Sequence, residues 1–270
     1  MHLLAATPGT ATDAAEPVDL AQTPADVVFL TFADTEIALL AEARAAMDTA
    51  PTLRLANLAH LSHPMSVDLH LDTCATKSRL VIARILGGAG YWRYGFEQYA
   101  ARLAEAGVPF AALPGDDRPD ADLRTFSTVA EDDYDALWSY LVEGGAANAT
   151  DFLGHARAML DGGERPGAAR SLLRAGLHWP GIARPDLDTV RAHWPEGALV
   201  VPIVFYRALV QGGGLAPINR LVKALLRQGL APLPVFAASL KDPLSRATIE
   251  GLFAEAPPAD AAWPDIEALA

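Results

Sequence analysis

The sequence predicts an α/β protein built around a parallel sheet. Four short and strongly apolar runs have the length and composition of β-strands, at 26–33, 53–59, 79–86 and 109–116. Segments of helical length lie between consecutive runs, and strands that alternate with helices form parallel sheets with helices on their faces. The same alternation starts again near residue 198, which predicts a second α/β unit.

Several of these elements carry start and stop signals. Asp34 follows the first strand and is expected to be the N-cap of a helix. The run "RLVIARIL" (79–86) is almost entirely apolar, which predicts a strand covered on both faces. The helix expected to start near Tyr91 is followed by Gly107 and Pro109, a pair typical of helix ends.

The middle of the chain predicts a helical connector. Thr128 and Glu131 have the spacing of a capping box in front of an amphipathic helix. A second helical segment covers 147–160. The proline-containing stretch 169–196 is expected to be a connection rather than part of a core.

The predicted organisation is an α/β unit over 1–120, a helical connector over 121–197 and a second α/β unit over 198–270. The last unit offers only two strand-like runs and two helices, too few to cover both faces of a parallel sheet. We therefore expect the second unit to be incomplete, the start of a truncated α/β unit.

Composition narrows the classes of function. The net charge of −12 argues against a nucleic-acid groove and against docking on anionic lipid, because both need a basic surface. The single cysteine, Cys74, excludes an internal disulfide and fits a reducing cytoplasm, and we expect it to be a small packed residue. The sequence shows neither a signal-peptide pattern nor a run approaching the roughly 20 apolar residues of a membrane span. These features predict a soluble cytoplasmic protein.

The stretch "LGGAGYWRYG" (86–95) is the first candidate for a binding site. Its glycines do not match a dinucleotide-binding fingerprint and no Walker lysine follows, which argues against a phosphate loop. A turn that needs glycine for its dihedral angles is one interpretation. The other is a ligand platform, because aromatic faces beside Arg93 at the C-terminal end of a parallel strand suit a flat ligand that carries carboxylates. The residues alone leave both interpretations open.

The stretch "HLSHPMSVDLHLD" (60–72) is a second candidate, because imidazoles and carboxylates are good ligands for transition metals. Its potential ligands are His60, His63, Asp68, His70 and Asp72. The spacing is not that of H-E-x-x-H, and Pro64 breaks any helix that would join His63 to Asp68. Two interpretations remain, a metal site that includes His63 at the sheet edge and a polar loop in front of a capped helix.

Other motifs give weaker signals. No serine lies in a nucleophile elbow or has a convincing triad around it. The acidic run "EDDYD" (131–135) could bind a cation, but acidic residues at a helix start usually complement the helix dipole. The stretch "VFYRALVQGGG" (204–214) repeats the order of strand, aromatic residue, arginine and glycine turn. We expect Phe205 and Tyr206 to lie in the core and keep Arg207 as a candidate ligand contact.

Several of these motifs together resemble one family. The chain contains, in order, "HPMSVD" (63–68), "LGGAGYWRYG" (86–95), "LPGDDRPD" (113–120), "FSTV" (126–129), "RAGLHWPG" (174–181), "IVFYRALVQGGGLAPI" (203–218) and "LPVFAASLKD" (233–242). In this order and spacing they resemble the N-terminal region of the large subunit of aerobic cobaltochelatase. The large subunit of magnesium chelatase is a more distant relative.

The resemblance implies a function in cobalamin biosynthesis. The large subunit of this family binds the tetrapyrrole in an ATP-dependent insertion of Co²⁺ into hydrogenobyrinic acid a,c-diamide, a corrin precursor. The resemblance also implies two smaller partner subunits, an ATPase motor and its companion, through which ATP and Mg²⁺ are bound. The candidate corrin contacts are Gly87, Gly88, Tyr91, Trp92, Arg93 and Arg207, and the candidate metal contacts are His63 and Asp68.

The chain departs from the family in its length. Large subunits of the family are several times longer, and the similarity, which covers about residues 18–256, is expected to fail at "PPADAAWPDIEALA". We expect this chain to be a segment of such a subunit, inactive alone. The alternatives are a free-standing module that binds a tetrapyrrole or docks on a chelatase partner without catalysis, and a remnant without a ligand.

Overall fold

The computed structural model describes residues 16–256, and the chain divides into two compact units between Leu172 and Leu173. The fold is α/β, as the sequence predicts. The division lies within the stretch 121–197 that was predicted as a connector, so the boundaries suggested by the sequence differ from it. The stretch 257–270, where the family similarity was expected to fail, lies outside the described residues.

The first unit contains a four-stranded parallel sheet with the strand order β2-β1-β3-β4. Its elements are β1 (Val27–Thr31), α1 (Asp34–Ala46), β2 (Leu53–Asn57), α2 (Pro64–Thr73), β3 (Leu80–Ile85), α3 (Arg93–Ala106), β4 (Phe110–Pro114), α4 (Ala121–Phe126), α5 (Glu131–Glu143) and α6 (Gly145–Asp161). All four predicted strands of this unit are confirmed. Every residue of β1, β3 and β4 is buried.

Two apolar clusters cover the two faces of this sheet. On one face, Val28 and Ala83 of the strands belong to the same cluster as Leu71 of α2 and Phe96 of α3. On the other face, α1, α5 and α6 supply the cluster, with the Phe152 ring packed edge-on against a ring of β1. The apolar run at 79–86 is therefore covered on both sides, as its composition predicts.

Two predicted helix caps are wrong. Asp34 is the first residue of α1, and its carboxylate accepts a hydrogen bond from the amide of Asn57 instead of capping the helix. Thr128 does not cap α5, because its hydroxyl accepts from the backbone N–H of Phe110 at the edge of the sheet. The predicted end of α3 is confirmed, because Gly107 adopts the left-handed conformation with φ of 70°.

The second unit has a three-stranded sheet with the strand order β5-β7-β6. Its elements are β5 (Ala175–Leu177), α7 (Leu187–Arg191), β6 (Val200–Tyr206), α8 (Arg207–Gln211), α9 (Ala216–Arg227), β7 (Ala231–Ala237) and α10 (Pro243–Glu255). β6 and β7 are parallel, and β5 is antiparallel to β7. The prediction that 169–196 is only a connection is wrong, because β5 and Trp179 lie in the core of this unit.

Within residues 16–256, no helix is both long and apolar enough to cross a membrane.

Candidate functional site

The candidate site lies at the C-terminal edge of the first sheet, where β1 and β3 end side by side. The chain leaves β1 towards β2 on one side and leaves β3 towards β4 on the other. Such a switch point opens a crevice outside the strand ends, and ligands of parallel α/β proteins bind there. The turn formed by Gly87 and Gly88 follows β3 at this point.

The two glycines of this turn are required by its backbone. Gly87 and Gly88 have φ angles of 92° and 87°, a region that side chains rarely tolerate. The ring of Tyr91 lies over Gly87, and a Cβ at position 87 would approach a Tyr91 ring carbon to 2.5 Å. Tyr91 remains 58% exposed, so the turn holds an aromatic ring at the protein surface.

Trp92 has a different position from Tyr91. It is only 5% exposed, and its indole N–H donates to the backbone carbonyl of Leu61 over 2.8 Å. The indole packs against Phe96, and a Cβ at Gly95 would overlap it. The buried Trp92 therefore anchors the turn to the core. The exposed rings at this edge are those of Tyr91 and Tyr94.

Arg93 is the first residue of α3 and lies at the surface. Its Nε donates to Glu97 Oε1 over 2.5 Å, and the guanidinium lies 6.0 Å from the centre of the Phe126 ring. The hydrogen bond to Glu97 raises the pKa of the guanidinium. Because the side chain is largely exposed, the remaining N–H groups of Arg93 are available to an anionic ligand.

Asp68 and Tyr94 connect α2 to α3 beside this turn. The Tyr94 hydroxyl donates to both carboxylate oxygens of Asp68 over 3.1 and 3.0 Å. Burial and the bond to Asp68 raise the pKa of Tyr94. Met65 at the start of α2 is exposed as well. The edge thus carries a mixed surface of aromatic, thioether, carboxylate and guanidinium groups.

His63 is the N-cap of α2. Its Nδ1 accepts a hydrogen bond from the backbone N–H of Met65 over 3.1 Å, so this ring nitrogen completes the helix start. Pro64 occupies the first turn of the helix, where proline is well tolerated. The potential metal ligands of this stretch therefore lie in three local structures. His60 lies in a 3₁₀ turn (Leu58–Leu61), His63 is the helix cap, and the others lie in α2.

Two further potential ligands of this stretch, His70 and Asp72, have protein partners. His70 is buried, its Nδ1 lies 2.5 Å from the Tyr99 hydroxyl, and burial lowers its pKa to about 4. Asp72 pairs with Arg102 on the surface. Among residues 16–256, no three His, Cys, Asp or Glu side chains converge in a group that could hold a metal ion.

A buried ion pair behind the edge was missed by the sequence analysis. Arg84 of β3 pairs with Glu36 of α1, and Thr31 donates to the other Glu36 oxygen over 2.8 Å. Arg84 also donates to the carbonyls of Pro114 and Gly115 over 3.0 and 3.1 Å. This network ties the ends of β1, β3 and β4 together. A single arginine inside an otherwise apolar strand was the signal that could have revealed it.

A second ion pair, between the buried Asp133 and the half-exposed Arg165, explains part of the acidic run at 131–135. Asp133 accepts two hydrogen bonds from Arg165, over 2.7 and 3.1 Å, and lies 2.9 Å from His155 Nε2. The hydrogen bond from Arg165 is the largest of the effects that lower the pKa of Asp133. This carboxylate stabilises the packing of α5 on α6 and is not exposed to a cation in solvent.

Arg207 belongs to the second unit. It begins α8, and its Nε donates to the carbonyl of Leu173 over 3.1 Å. Phe205 is buried, as predicted, but Tyr206 is 51% exposed, so the prediction of a core position for Tyr206 is wrong. The reason is that β6 lies at the edge of its sheet.

Comparisons with known proteins agree on one family. The CobN/Magnesium Chelatase family model matches residues 138–263. The aerobic cobaltochelatase subunit CobN of Sinorhizobium sp is 44% identical over an aligned length of 267 residues, and the alignment covers 96% of this chain and 21% of the relative. The subunit of the same name from Pseudomonas aeruginosa is 40% identical over 252 residues, 93% of this chain and 20% of the relative.

A solved structure has the same fold. The catalytic subunit of cobaltochelatase from Mycobacterium tuberculosis matches 84% of this chain and 17% of its own, with a TM-score of 0.62 and 24% identity. This chain spans about a fifth of the length of the curated relatives. The resemblance carried by the ordered motifs is confirmed, since residues 138–263 match the CobN/magnesium chelatase family model and both curated relatives are CobN subunits.

Proposed function

We propose that this chain is part of the tetrapyrrole-binding large subunit of an ATP-dependent cobaltochelatase. The reaction is the insertion of Co²⁺ into hydrogenobyrinic acid a,c-diamide during cobalamin biosynthesis. The observation that carries the proposal is the 44% identity to a CobN subunit along 96% of this chain. Co²⁺ is a substrate of this reaction, and the chain contributes binding surface to the subunit that handles it.

The exposed edge of the first sheet supports a corrin contact. A corrin is broad, apolar on its faces and fringed with carboxylates and amides. The exposed rings of Tyr91 and Tyr94 suit its faces, and the open side of the Arg93 guanidinium suits a fringe carboxylate. Gly87 and Gly88 let the backbone come close to the ligand. Trp92 holds the turn in place from the core.

Arg207 is proposed as a further corrin contact on the second unit. Its Nε donates to the carbonyl of Leu173. The guanidinium group is of the kind that binds a carboxylate or an amide oxygen. The proposal for this residue is independent of the surface around Tyr91.

The partners of the proposed function follow from the family. Two smaller subunits, an ATPase motor and its companion, would bind ATP and Mg²⁺. In the first unit, the turn after β3 leads into a 3₁₀ turn at Ala89–Trp92 and then into α3, with no lysine placed to bind a phosphate. We further propose a cytoplasmic location, because the reaction needs ATP.

A titration tests the corrin contact. The chain is titrated with hydrogenobyrinic acid a,c-diamide while its tyrosine and tryptophan fluorescence is followed. We expect saturable quenching, and an affinity at least about tenfold weaker in Arg93→Ala, because a charge-assisted hydrogen bond is worth about 1.5–3 kcal/mol. Arg246→Ala is the matched control, because Arg246 is also an exposed helical arginine paired with a glutamate four residues later. No saturable change, or equal affinity in both variants, would remove the corrin contact.

The metal contact has its own test. We propose that the Nε2 of His63 and the carboxylate of Asp68 approach Co²⁺ as it enters the site, since imidazole and carboxylate groups both bind first-row metals. His63→Asn keeps a good helix cap and removes the imidazole. Calorimetry with Co²⁺ should show at least tenfold weaker binding in this variant, on the order of 1.4 kcal/mol. Equal affinity would contradict the proposal.

A second candidate function is a binding module without catalysis. It would use the same exposed rings of Tyr91 and Tyr94 for binding. The two functions are distinguished by whether cobalt is inserted in the presence of the smaller chelatase subunits. For the first, a chimeric CobN that carries this chain in place of its own matched segment should insert cobalt, whereas the chain alone should not. A chimera that binds the precursor but stays inactive would favour the module.

A further inference from the structure

The outer edge of β6 is unused by the fold of the second unit. β6 pairs with β7 along one side, and no strand in the described part of the chain pairs with its other side. An unpaired strand edge presents a row of backbone donors and acceptors to any strand that approaches it. Proteins usually protect such an edge with charged side chains or a covering loop. β6 has the sequence VVPIVFY, which contains no charge.

The backbone groups that point outwards can be assigned from the register. The N–H of Ala231 in β7 donates to the carbonyl of Leu199. Because the backbone groups of alternate residues point to the same side of a strand, the odd-numbered residues of β6 face β7. The N–H groups of Val200, Val204 and Tyr206 therefore point to the outer edge.

Pro202 lies between these outward positions. It has no N–H, so it removes one donor from the outer edge and none from the ladder with β7. Its carbonyl still points outwards. The carbonyl of Tyr206 begins the hydrogen bonding of α8, so the edge keeps three donors and three acceptors, enough for a partner strand to pair with it.

An exposed apolar stripe follows the same residues. Pro202, Val204 and Tyr206 are exposed, with Val204 at 42%, while Ile203 and Phe205 between them are more buried. Side chains two residues apart lie on one face of a strand. One face of an edge strand is therefore apolar and open, and burying it against a partner would be favourable.

The charge around β6 is opposite to that of the whole protein. The stretch 198–241 has no acidic residue and five basic ones, in a chain whose net charge is −12. The basic residues are Arg207, Arg220, Lys223, Arg227 and Lys241. Three of them, those of α9, are three and four residues apart on its exposed side, and none of these three forms an ion pair within residues 16–256. The segment that contains β6 therefore carries only positive charge, which favours an acidic partner.

We propose that the outer edge of β6 receives a β-strand from the part of a CobN subunit that lies outside the segment matched by this chain. Acidic side chains of that part would lie against the basic side of α9. The relatives are about five times longer than this chain, so most of a CobN subunit lies outside the matched segment and can supply such a strand. The inference rests on the family relationship and not on the corrin or cobalt contacts, so the two can fail separately.

The test uses the 270-residue chain and the Sinorhizobium CobN polypeptide from which the 267 matched residues have been removed. In the chain alone, the amides of Val200, Val204 and Tyr206 should exchange their hydrogens quickly. After addition of the CobN polypeptide, these amides should become protected, while those of Ile203 and Phe205 are protected in both states. Complex formation without new protection in β6 would overturn the proposal.

One substitution removes a single outward donor. Val204→Pro deletes the N–H at the centre of the outer edge and leaves the ladder with β7 intact, as Pro202 already does. We expect binding at least about tenfold weaker, from the lost hydrogen bond and the steric effect of the ring. Protection of the Ile203 amide shows that β6 remains folded. Unchanged affinity in a folded variant would overturn the proposal.

A side-chain variant covers the case in which Val204→Pro does not fold. Val204→Lys places a charge in the apolar stripe and should also weaken binding at least tenfold. Leu244→Lys is the matched control, because Leu244 is an exposed apolar residue of α10 in the same unit, and it should bind normally. Equal affinities of the two variants would contradict the proposal.

The occupant itself is tested by salt and by self-association. Affinity should fall several-fold between 50 and 300 mM salt, as expected when exposed charges contribute to binding. Binding that is independent of salt would contradict an acidic partner. Sedimentation of the chain alone should show a monomer, and a dimer that Val204→Pro abolishes would assign the edge to a second copy and overturn the proposal.

Discussion

The two sheets of this protein differ in how completely they are covered. In the first unit, β1, β3 and β4 are buried throughout between two layers of helices. In the second unit, β7 is buried but β6 has exposed or partly exposed residues at six of its seven positions. A fully covered sheet holds its edge rigidly and suits a ligand site, whereas a partly covered sheet still has surface to bury. The contrast supports placing the ligand contact on the first and the docking surface on the second.

The largest expected effect comes from the buried ion pair of the first unit. Arg84→Met should lower the free energy of unfolding by about 3–5 kcal/mol, because Glu36 would remain buried and charged without its partner. Arg246→Met in the second unit should change it by less than about 0.5 kcal/mol, because its pair with Glu250 is exposed. Urea denaturation, with hydrogen exchange of β3 and β7 amides to assign the unit, measures both.

A double variant controls for this interpretation. Arg84→Met with Glu36→Leu removes both charges and should recover a large part of the lost stability. If the single and double variants are equally unstable, the loss comes from packing, and the ion pair does not hold the edge together.

The ion pair between Arg84 and Glu36 could not be predicted from the sequence, although many of the elements could. The strands of both parallel ladders and the end of α3 were predictable, because alternation, apolar runs and helix-stop glycines are local signals. The pairing of Arg84 with Glu36 joins residues 48 positions apart, and no local pattern carries that information. β5 has only three residues, too few for a period to show.

The candidate site shows the same limit within a single stretch. Tyr91 and Trp92 are neighbours in the sequence, and composition suggests the same role for both. In the structure one ring is exposed and the other is buried, because Gly95 leaves room for the indole one turn along the chain. The chemistry of the residue types was predictable from the sequence, but the direction in which each side chain points depends on tertiary packing.

Acid should destabilise the first unit more than the second. The pKa of His70 is about 4 in the folded protein and near 6.5 when unfolded, so the unfolded chain binds more protons between these values. The contribution of His70 to the free energy of unfolding is fully present above pH 6.5. About 3 kcal/mol of it is lost as the pH falls from 6.5 to 4. Unfolding free energies from β3 amide exchange between pH 7 and pH 4.5 measure the slope.

His70→Gln isolates this contribution. A glutamine can still accept from the Tyr99 hydroxyl and donate to Gln22, but it has no proton to gain. The pH slope between 6.5 and 4.5 should become clearly smaller in this variant. A slope equal to that of the unchanged protein would show that another group causes the acid sensitivity.

Replacing a helical glycine by alanine should change stability in opposite directions in the two units. Gly95→Ala should destabilise the first unit by about 2 kcal/mol, because the added methyl group would overlap the Trp92 indole. Gly251→Ala should stabilise α10 by up to about 1 kcal/mol, because a Cβ there meets open space and alanine favours a helix. Thermal unfolding of both variants provides the comparison. Destabilisation by both substitutions to the same extent would contradict the close packing of Trp92.

The smallest expected effect lies on the exposed stripe of β6. Val204→Thr should change the stability of the isolated chain by less than about 0.5 kcal/mol, because the side chain is 42% exposed and its hydroxyl would meet water. Val81→Thr in β3 is the matched control and should cost about 2 kcal/mol, because the hydroxyl would be buried in an apolar cluster. Hydrogen exchange in β7 and β3 measures the two effects separately. A loss above about 1 kcal/mol for Val204→Thr would mean that this stripe is already covered in the isolated chain, and the difference between the two sheets would disappear.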